Sequence, residues 1–369
     1  MEILPYSNAH REAVERMNAK LSAAGSEWQF PAHERPRDAE HLPVWSESFV
    51  AVEREDVYGG YILKHQEFFL EGRRLELVDL QLPLSLGQVD SKMSQVSAAL
   101  LFDVLRRSPC AYSLGLGSEE TQFAKLLTAA GWQHLTVPFF FAVKSPNRFA
   151  RNIRLPPDRA TSQRVLRVLG RLGLAGVAFW LRRALSSNSR PFSNHAGSGR
   201  VREVPRFDGF ADELFEAHAE SYSLIGDRRA PALNCLYPED DAGYIRVVVE
   251  NEGDVIGWAV LLDKTLRAHR YFGDMRVGAL ADCFAEPKAA AAVVEAVDGF
   301  LADRGVDIVV SNQLHPAWCD ALAKAGYEEG PSNFFFYFSE DLGRQLGARP
   351  GWDRRIHMNR GDGEGPTYL

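Results

Sequence analysis

Apolar and polar residues in the first 146 positions follow the patterns of both helices and strands. Apolar residues at helical spacing predict two longer helices, and in the second of these Val96, Leu100 and Val104 fall on one face. Between the two helices, apolar runs separated by polar turns predict three strands. In chain order the predicted elements are a helix (Ala9–Ala24), three strands (Phe49–Glu53, Val57–Phe68, Arg74–Leu82), a helix (Ser94–Arg107), a strand (Ala111–Leu116), a helix (Glu119–Ala130) and a strand (His134–Lys144).

The last third of the chain repeats this order. A helix at Phe210–Tyr222 comes first, and proline at the start of a later segment is typical of the first turn of a helix. The other predicted elements are three strands (Tyr244–Glu250, Val255–Asp263, Arg276–Phe284), a helix (Pro287–Arg304), a strand (Asp307–Ser311), a helix (Ala317–Ala325) and a strand (Asn333–Phe338). Helix, antiparallel meander, helix, strand, helix and strand predict an α+β fold with a mixed sheet in each half.

Similar segments recur at a nearly constant distance along the chain. The run 52–61 corresponds to 249–258, an offset of 197, and the closing glycine Gly131 corresponds to Gly326, an offset of 195. Eight residues after each glycine a triple phenylalanine begins, at 139–141 and at 334–336. Repeats of this kind indicate a duplicated domain.

Length and composition agree with two globular domains. The chain has 369 residues, of which 46% are hydrophobic and 25% charged, and a domain typically has about 100–200 residues. We expect an N-terminal domain (1–146), an Arg-rich helical connector and loop (147–200), a C-terminal domain (201–345) and a tail packed on the second domain (346–369). The four cysteines form no C-x-x-C pair, so no metal site is expected.

Neither a membrane span nor a secretory signal is predicted. No apolar run reaches the roughly 18 residues that span a bilayer. The first seventeen residues, MEILPYSNAHREAVERM, lack the basic start and apolar stretch of a secretory signal. A cytoplasmic protein is therefore expected.

Charge is distributed unevenly along the chain. The net charge is −7, yet residues 147–206 contain thirteen Arg, no Lys, one Asp and one Glu, which is +11 and leaves −18 for the remainder. A general nucleic-acid-binding protein would carry basic surface on its folded domains. We therefore expect no nucleic-acid partner.

The basic connector permits two interpretations. On a helical wheel Arg164, Arg167, Arg171 and Arg182 fall within about 60°, and most of the remaining positions in 164–183 are apolar. The helix could lie on an anionic membrane surface as a peripheral contact. Alternatively it packs between the two sheets, its arginines facing the acidic domains. We favour packing, because glycines at 170, 173 and 176 suit close contact.

The order of elements resembles the GNAT superfamily of N-acyltransferases, present twice in one chain. The short helices ending in Ala130-Gly131-Trp132 and Ala325-Gly326-Tyr327 are similar to the closing part of a GNAT domain. The segments 226–237 and 352–366 resemble an R-D-x-x-x-L-N-W-R-Y segment and a W-x-x-x-x-H-M-T-R-G-D-x-D-G-P ending of tandem GNAT-like proteins from bacterial surface-polysaccharide gene clusters, with Cys235 in place of the Trp. The resemblance implies two tandem GNAT-like domains, each a mixed, mostly antiparallel sheet flanked by helices.

This resemblance implies acyl-CoA as a co-substrate. GNAT enzymes bind its pyrophosphate with an R/Q-x-x-G-x-G/A motif at a helix start, where backbone N–H groups face the phosphates. In the first half Lys92 matches the basic position, and Gln95 and Ser97 replace the glycines. Together with Ser94, these residues form the candidate acyl-CoA site. In the second half Glu286 stands where phosphate would bind and Pro287 lacks an amide N–H, so a site there is less favoured.

Candidate catalytic residues are carboxylates on the third strand of each half. Many GNAT enzymes have a tyrosine four residues before the closing glycine to protonate the leaving thiolate, but Leu127 and Leu322 occupy those positions. Attack by an amine then needs positioning and a base. The candidate base is Asp79 or Glu76 in the first half and Asp282 in the second. Alternatively, Asp79 points to solvent on an alternating strand, and Asp282 makes a structural hydrogen bond.

Three functions remain open from the sequence. The resemblance favours an acyltransferase that moves an acyl group from acyl-CoA to an amine, on an amino sugar or a polysaccharide precursor. The missing glycines and tyrosines favour a catalytically silent binding or scaffold protein of polysaccharide assembly. A third function is aminoacyl transfer from aminoacyl-tRNA, against which the charge of −18 outside the connector argues.

Overall fold

The structure is a computed structural model that describes residues 1–33, 41–115, 121–154, 160–177, 199–347 and 355–364. The first half contains β1 (Glu2–Pro5), α1 (Arg11–Ala23), β2 (Val44–Glu53), β3 (Asp56–Leu70), β4 (Arg73–Ser85), α2 (Ser94–Arg107), β5 (Ala111–Leu114), α3 (Gln122–Ala129), β6 (Gln133–Thr136) and β7 (Phe139–Val143). The connector contains α4 (Pro146–Asn152) and α5 (Ala160–Arg171).

The second half repeats the same succession with three additions. It contains β8 (Arg200–Glu203), α6 (Gly209–His218), β9 (Leu224–Gly226), α7 (Ala230–Leu236), β10 (Ile245–Asn251), β11 (Asp254–Thr265), β12 (Arg276–Ala285), α8 (Ala290–Asp303), β13 (Ile308–Asn312), α9 (Pro316–Lys324), β14 (Glu328–Gly330), β15 (Phe335–Phe338) and α10 (Glu340–Leu346). The additions relative to the first half are β9, α7 and α10. The main predicted helices and strands are confirmed within a few residues of their expected bounds.

Two mixed sheets form the core of the molecule. The first has the order β1-β2-β3-β4-β5-β15-β6, with β9 paired to β3, and the second has the order β14-β7-β13-β12-β11-β10-β8. Within these described strands, neighbours pair antiparallel except β4 with β5 and β12 with β13. Helices α2 and α8 pack against the two sheets through apolar side chains. The predicted α+β class with a mixed sheet in each half is confirmed.

The two halves exchange one strand each. Strand β7, from the first half, lies between β13 and β14 of the second sheet, and Phe140 pairs with Ser311. Strand β15, from the second half, lies between β5 and β6 of the first sheet, where Phe336 pairs with Leu114. The prediction of one continuous strand over His134–Lys144 is wrong in this respect.

The predicted strand is interrupted at Pro138, which has no N–H for a ladder bond. The chain leaves the first sheet there and enters the second. The predicted domain limits at 146 and 201 stay a prediction, since each sheet contains a strand from the other half.

The parallel strand pairing in each sheet stops at matching positions. The parallel pairing of β4 with β5 ends at Asp79 and Tyr112, and that of β12 with β13 ends at Leu280 and Ser311. At each of these points a serine hydroxyl of the shorter strand donates to a leucine carbonyl of the longer one. These bonds are Ser113 Oγ to Leu80 O, 2.7 Å, and Ser311 Oγ to Leu280 O, 3.1 Å. Beyond them the two strands of each pair form no further ladder pairs among the described residues, and we call the region past the last pair the opening of that half.

The connector helix does not occupy the predicted position between the sheets. Helix α5 packs on α4, and a Cβ added to Gly170 would lie 2.9 Å from the carbonyl oxygen of Asn147. The other two glycines, Gly173 and Gly176, have no atom within 4 Å of an added Cβ. Only the first of the three glycines therefore serves close packing. The favoured interpretation of the connector is wrong for its described part, and Arg182 lies outside the described residues.

The exchange of strands predicts that a side chain from the second half stabilises the first sheet. Replacing the buried Phe336 by Ala removes packing against Tyr112 and Leu114, and large-to-small substitutions of Phe cost about 3–5 kcal/mol. Urea unfolding will measure the loss, and hydrogen exchange should accelerate in β5 and β6. Phe284→Ala in β12 is the control, with faster exchange expected in the second sheet. If hydrogen exchange became faster only in the second sheet in both variants, the exchange of strands between the two halves would be contradicted.

Candidate active site at the junction of the two sheets

Asp79 lies at the closed end of the first opening. Its carboxylate is 1% exposed, with Lys64 Nζ at 3.7 Å from Oδ2. The Gln81 side-chain amide donates to the same oxygen at 2.8 Å, whereas Oδ1 is buried and has no hydrogen-bond partner among the described residues. Burial raises the pKa of Asp79 to about 6, against the opposing effects of Lys64 and Gln81. The alternative that Asp79 points to solvent is wrong.

Glu76, the second candidate base of the first half, lies on the opposite face of β4. The side chains of a strand alternate between its two faces, so residues three apart point in opposite directions. The Glu76 side chain is 71% exposed and contacts His65 Nδ1 at 3.3 Å. This carboxylate is therefore separated by the sheet from Asp79 and its opening.

Asp282 is surrounded by partners for both of its oxygens. The Tyr237 hydroxyl donates to Oδ2 at 2.7 Å, and Arg228 Nε lies 3.2 Å from the same oxygen. Oδ1 accepts hydrogen bonds from the Asn359 side-chain amide at 2.9 Å and from the Cys283 backbone amide at 2.8 Å. Burial raises the pKa of Asp282, and Arg228 opposes this effect. These contacts agree with the alternative of a structural hydrogen-bonding role.

The C-terminal segment 355–364 enters the second opening. The His357 ring contacts the carbonyl oxygen of Cys283 through Nε2 at 2.8 Å, and Gln313 forms a β-bridge with Asn359. Burial, followed by Arg228, lowers the pKa of His357 to about 4, so the ring is neutral at pH 7 and donates through Nε2. The C-terminal segment therefore contacts both borders of the second opening, at Cys283 on β12 and at Gln313 just after β13.

Asp362 connects this segment to both sheets. Its Oδ1 accepts from Arg228 Nη2 at 2.6 Å. Its backbone carbonyl accepts from Lys64 Nζ at 2.7 Å and from the Tyr112 hydroxyl at 2.8 Å. The two predicted bases, Asp79 and Asp282, therefore share one buried network in which Lys64, Asp362 and Arg228 lie between them.

Sequence reasoning had not assigned chemistry to Lys64, Tyr112 or Arg228. Arg228 and Asp362 nonetheless lie in the two segments, 226–237 and 352–366, that carried the resemblance to polysaccharide-cluster proteins. The structure brings these segments together, as Arg228 contacts Asp362 and both Tyr237 and Asn359 donate to Asp282. The presence of both segments in one sequence was the signal that could have pointed to the contact between Arg228 and Asp362.

The predicted acyl-CoA residues lie at the start of α2, which follows the diverging end of β4. Lys92, Ser94 and Gln95 are exposed, whereas Ser97 is half-buried and its hydroxyl is 2.6 Å from that of Ser85. The carboxylate of Asp90 accepts from the Lys92 backbone amide at 3.0 Å. One amide at this end of the helix is thus already bound to an anion.

Gly87 allows the loop between β4 and α2 to fold back closely on itself. A Cβ added to Gly87 would lie 2.4 Å from the carbonyl oxygen of Met93, which no side chain tolerates. In the second half the matching loop has an exposed ion pair, Lys288 to Glu286 at 2.9 Å. The first half therefore presents an exposed lysine at its opening without such a partner among the described carboxylates, and the second half does not.

The described residues contain no group of three or more His, Cys, Asp or Glu side chains arranged to hold a metal ion. They also contain no helix that is both long and apolar enough to cross a membrane.

Comparison with solved structures identifies the fold. The structure of Saccharomyces cerevisiae N-myristoyltransferase with bound myristoyl-CoA matches 91% of this chain and 82% of its own, with a TM-score of 0.53 and 13% identity. A probable N-acyltransferase from Enterococcus faecalis V583 matches 94% of this chain and 74% of its own, with a TM-score of 0.53 and 10% identity. A GCN5-related N-acetyltransferase from Anabaena variabilis matches 91% and 72%, with a TM-score of 0.50 and 10% identity.

No protein-family model and no curated protein sequence matches the chain. The structural matches nevertheless share the fold of N-acyltransferases over nearly the whole chain. The predicted fold, two tandem GNAT-like domains, is confirmed.

The packing of the C-terminal segment predicts a strict requirement for glycine at 361. A Cβ there would lie 2.3 Å from the Tyr237 hydroxyl and 2.6 Å from Asp282 Cγ, both buried. Overpacking typically costs about 1–3 kcal/mol, so Gly361→Ala should lower the free energy of unfolding by at least that amount in urea titration. Gly299→Ala in α8 is the control, because nothing lies within 4 Å and removal of a helical glycine stabilises by about 0.5–1 kcal/mol. Equal effects in the two variants would contradict the described packing.

Proposed function

We propose that this protein is an acyltransferase that moves an acyl group from acyl-CoA to an amine, with the acyl-CoA bound in the opening of the first half. The observation that carries the proposal is the difference between the two openings. In the first, the pairing of β4 with β5 ends at Asp79 and Tyr112, and the start of α2 follows β4. In the second, His357 and Asn359 bond the edges. The shared N-acyltransferase fold supports the same assignment.

Lys92 is the residue that we assign to the phosphates of acyl-CoA. It is exposed at the start of α2, and a cation beside a helix N-terminus favours a bound anion. Ser94 and Gln95 are exposed beside it and can add hydrogen bonds, whereas Ser97 would first have to release Ser85. The Asp90 carboxylate would have to release the Lys92 amide for a phosphate to approach that donor.

Asp79 is the residue that we assign as the base. An attacking amine must lose a proton as its nitrogen bonds to the thioester carbonyl, and the C–S bond then breaks to release the thiol. A carboxylate with a pKa of about 6 is ionised at pH 7.5 yet accepts a proton more readily than an ordinary aspartate. Its unpartnered Oδ1 can receive the amine proton, which ends on the departing thiolate. Lys64, at 3.7 Å, stabilises the ionised form.

For the acceptor we propose an amino sugar or a polysaccharide precursor. The support is that the two segments similar to those of polysaccharide-cluster proteins form one buried unit, in which Arg228 contacts both Asp282 and Asp362. The Asp79 carboxylate belongs to the same junction, because Lys64 Nζ lies 3.7 Å from its Oδ2 and donates to the Asp362 carbonyl. Amines of this class are therefore the first acceptors to test.

A binding or scaffold role is the second candidate. Two contacts favour it, namely the Asp90 carboxylate on the Lys92 amide and the Ser85–Ser97 hydroxyl pair, since both occupy groups that a phosphate would need.

Calorimetry with acetyl-CoA and with longer acyl-CoAs separates the two candidates. We expect binding heat with at least one chain length, and Lys92→Glu should weaken the affinity about tenfold or more by placing a negative charge at the phosphates. Lys324→Glu at the exposed end of α9 makes the same charge change and should leave the affinity unchanged. Absence of heat with every acyl-CoA would favour the scaffold role.

The buried carboxyl predicts the pH dependence of activity and of stability. With Asp79 as base, kcat/KM should rise with an apparent pKa of about 6, and Asp79→Asn should lower kcat by about 10²–10⁴. Because burial raises this pKa from 3.8, the folded state holds the proton more tightly than the unfolded state. The free energy of unfolding should therefore fall by about 3 kcal/mol as pH rises from about 4 to above 6.

In the Asp79→Asn variant this pH-dependent loss of stability should disappear, which tests the burial of the carboxyl without any activity measurement. Glu76→Gln is the matched control, since that carboxylate is exposed on the other face of the same strand. The base assignment fails when Glu76→Gln lowers kcat as much as Asp79→Asn does.

A further inference from the structure

The connector helix exposes an unusual share of the apolar surface of the molecule. Eleven large hydrophobic side chains are exposed among the described residues, and five of them lie within thirteen consecutive positions. These are Val165, Val168, Leu172, Leu174 and Val177, with exposed fractions between 48% and 64%. Scattered exposed apolar residues are ordinary, but a concentrated patch marks an interaction surface.

The exposed apolar side chains lie beside a row of arginines. At 100° per residue, Arg164, Arg167 and Arg171 occupy about 60° of the helix circumference. Val165, Val168 and Leu172 occupy the adjoining sector, since the Leu172 amide continues the helical bonding to the Val168 carbonyl at 3.0 Å. The outward side of α5 is therefore half cationic and half aliphatic.

The opposite side of α5 is the one that packs on the protein. Gln163 donates to the carbonyl oxygen of Ile153, at 2.5 Å, and Gly170 approaches Asn147 and Arg151 of α4. The arginine row consequently faces away from the sheets. None of its three members has a carboxylate partner within the described part of the chain, although the chain outside the basic segment carries −18.

From this surface we infer that α5 docks on a membrane rich in anionic lipid. The helices α4 and α5 contain five Arg and no Asp or Glu, so the partner must be anionic. It must also accept aliphatic side chains next to the phosphates, as the boundary between lipid headgroups and acyl chains does. A nucleic acid would satisfy the arginines but would leave Val165, Val168 and Leu172 in water.

Orientation follows from the same geometry. With the aliphatic side chains directed into the headgroup boundary, the arginines lie along the membrane plane, where long basic side chains reach the phosphates. Helix α4 then lies between α5 and the second sheet, since α5 packs on α4 and Phe149 of α4 packs on the apolar cluster of β12 and β13. This inference does not depend on the proposed acyltransferase activity.

Vesicle co-sedimentation of the full-length protein tests the inference. We expect binding to vesicles of equimolar phosphatidylglycerol and phosphatidylcholine, weak binding to phosphatidylcholine alone, and release by added salt. Arg164→Gln, Arg167→Gln and Arg171→Gln together should lower the partition coefficient about a hundredfold, at roughly fivefold per arginine. Val165→Gln, Val168→Gln and Leu172→Gln together should lower it by about tenfold or more.

Matched controls make the same changes elsewhere on the surface. Arg54, Arg73 and Arg206 are exposed and have no ion-pair partner among the described carboxylates, so their replacement by Gln repeats the change of charge. Leu42, Val89 and Phe102 are exposed, and their replacement by Gln repeats the loss of apolar surface. Both controls should bind vesicles as the unmodified protein does, and equal thermal unfolding midpoints establish that all variants are folded.

Three outcomes would overturn the inference. The first is no binding to the anionic vesicles at low salt. The second is unchanged binding when either connector triple is replaced. The third is binding to a DNA duplex as tight as to the vesicles, with the arginine triple required and the aliphatic triple without effect, which would identify a general polyanion surface.

Discussion

The guanidinium of Arg228 is completely withdrawn from water, and much of the surrounding structure follows from the need to neutralise it. Removing one partner from a buried ion pair is costly, because it leaves a charge with no compensation. Burial disfavours the charge of Arg228, but Asp282 and Asp362 outweigh that effect and raise its pKa. Asp362 lies near the end of the chain, so this segment has to return to the junction of the sheets. Gly361 follows from the same requirement, since the chain passes against Tyr237 and Asp282.

This return of the chain makes the two halves unequal. The parallel pairing in both sheets stops next to matching leucines, Leu80 and Leu280, whose carbonyls accept the same kind of serine hydrogen bond. In the second half the segment that carries Asp362 also places His357 against the diverging strand. In the first half the segment contributes a carbonyl that holds Lys64, and one oxygen of Asp79 is left without a partner among the described residues. A single buried ion cluster thus distinguishes two openings of common design.

Local patterns predicted most elements, because hydrophobic periodicity and turn residues act over short distances. They could not predict which sheet takes which final strand, since Phe139–Phe141 and Phe334–Phe336 are equally apolar and either sheet would bury them. The burial of Asp79 was equally hidden, because the alternation of β4 shows two faces but not what covers each. Arg228 and Asp362 are 134 residues apart and meet only in the folded chain. For α5 the sequence left exposure and packing open, and packing was favoured because an amphipathic helix is also typical of packing between sheets.

The first half depends on the second half even though the second opening is filled. Both the exchanged strands and the returning C-terminal segment contribute to this dependence. The first sheet is completed by β15 and extended by β9, both from the second half. Its buried lysine, Lys64, is bonded by the Asp362 carbonyl, and Asp362 is itself held by Arg228. Without these residues Lys64 would lose its backbone acceptor, and Asp79 would lose the nearby Asp362 carboxylate, whose charge adds to the effect of burial in raising the pKa of Asp79. The environment of the carboxylate in the first opening is therefore a property of the whole chain, and neither half defines it by itself.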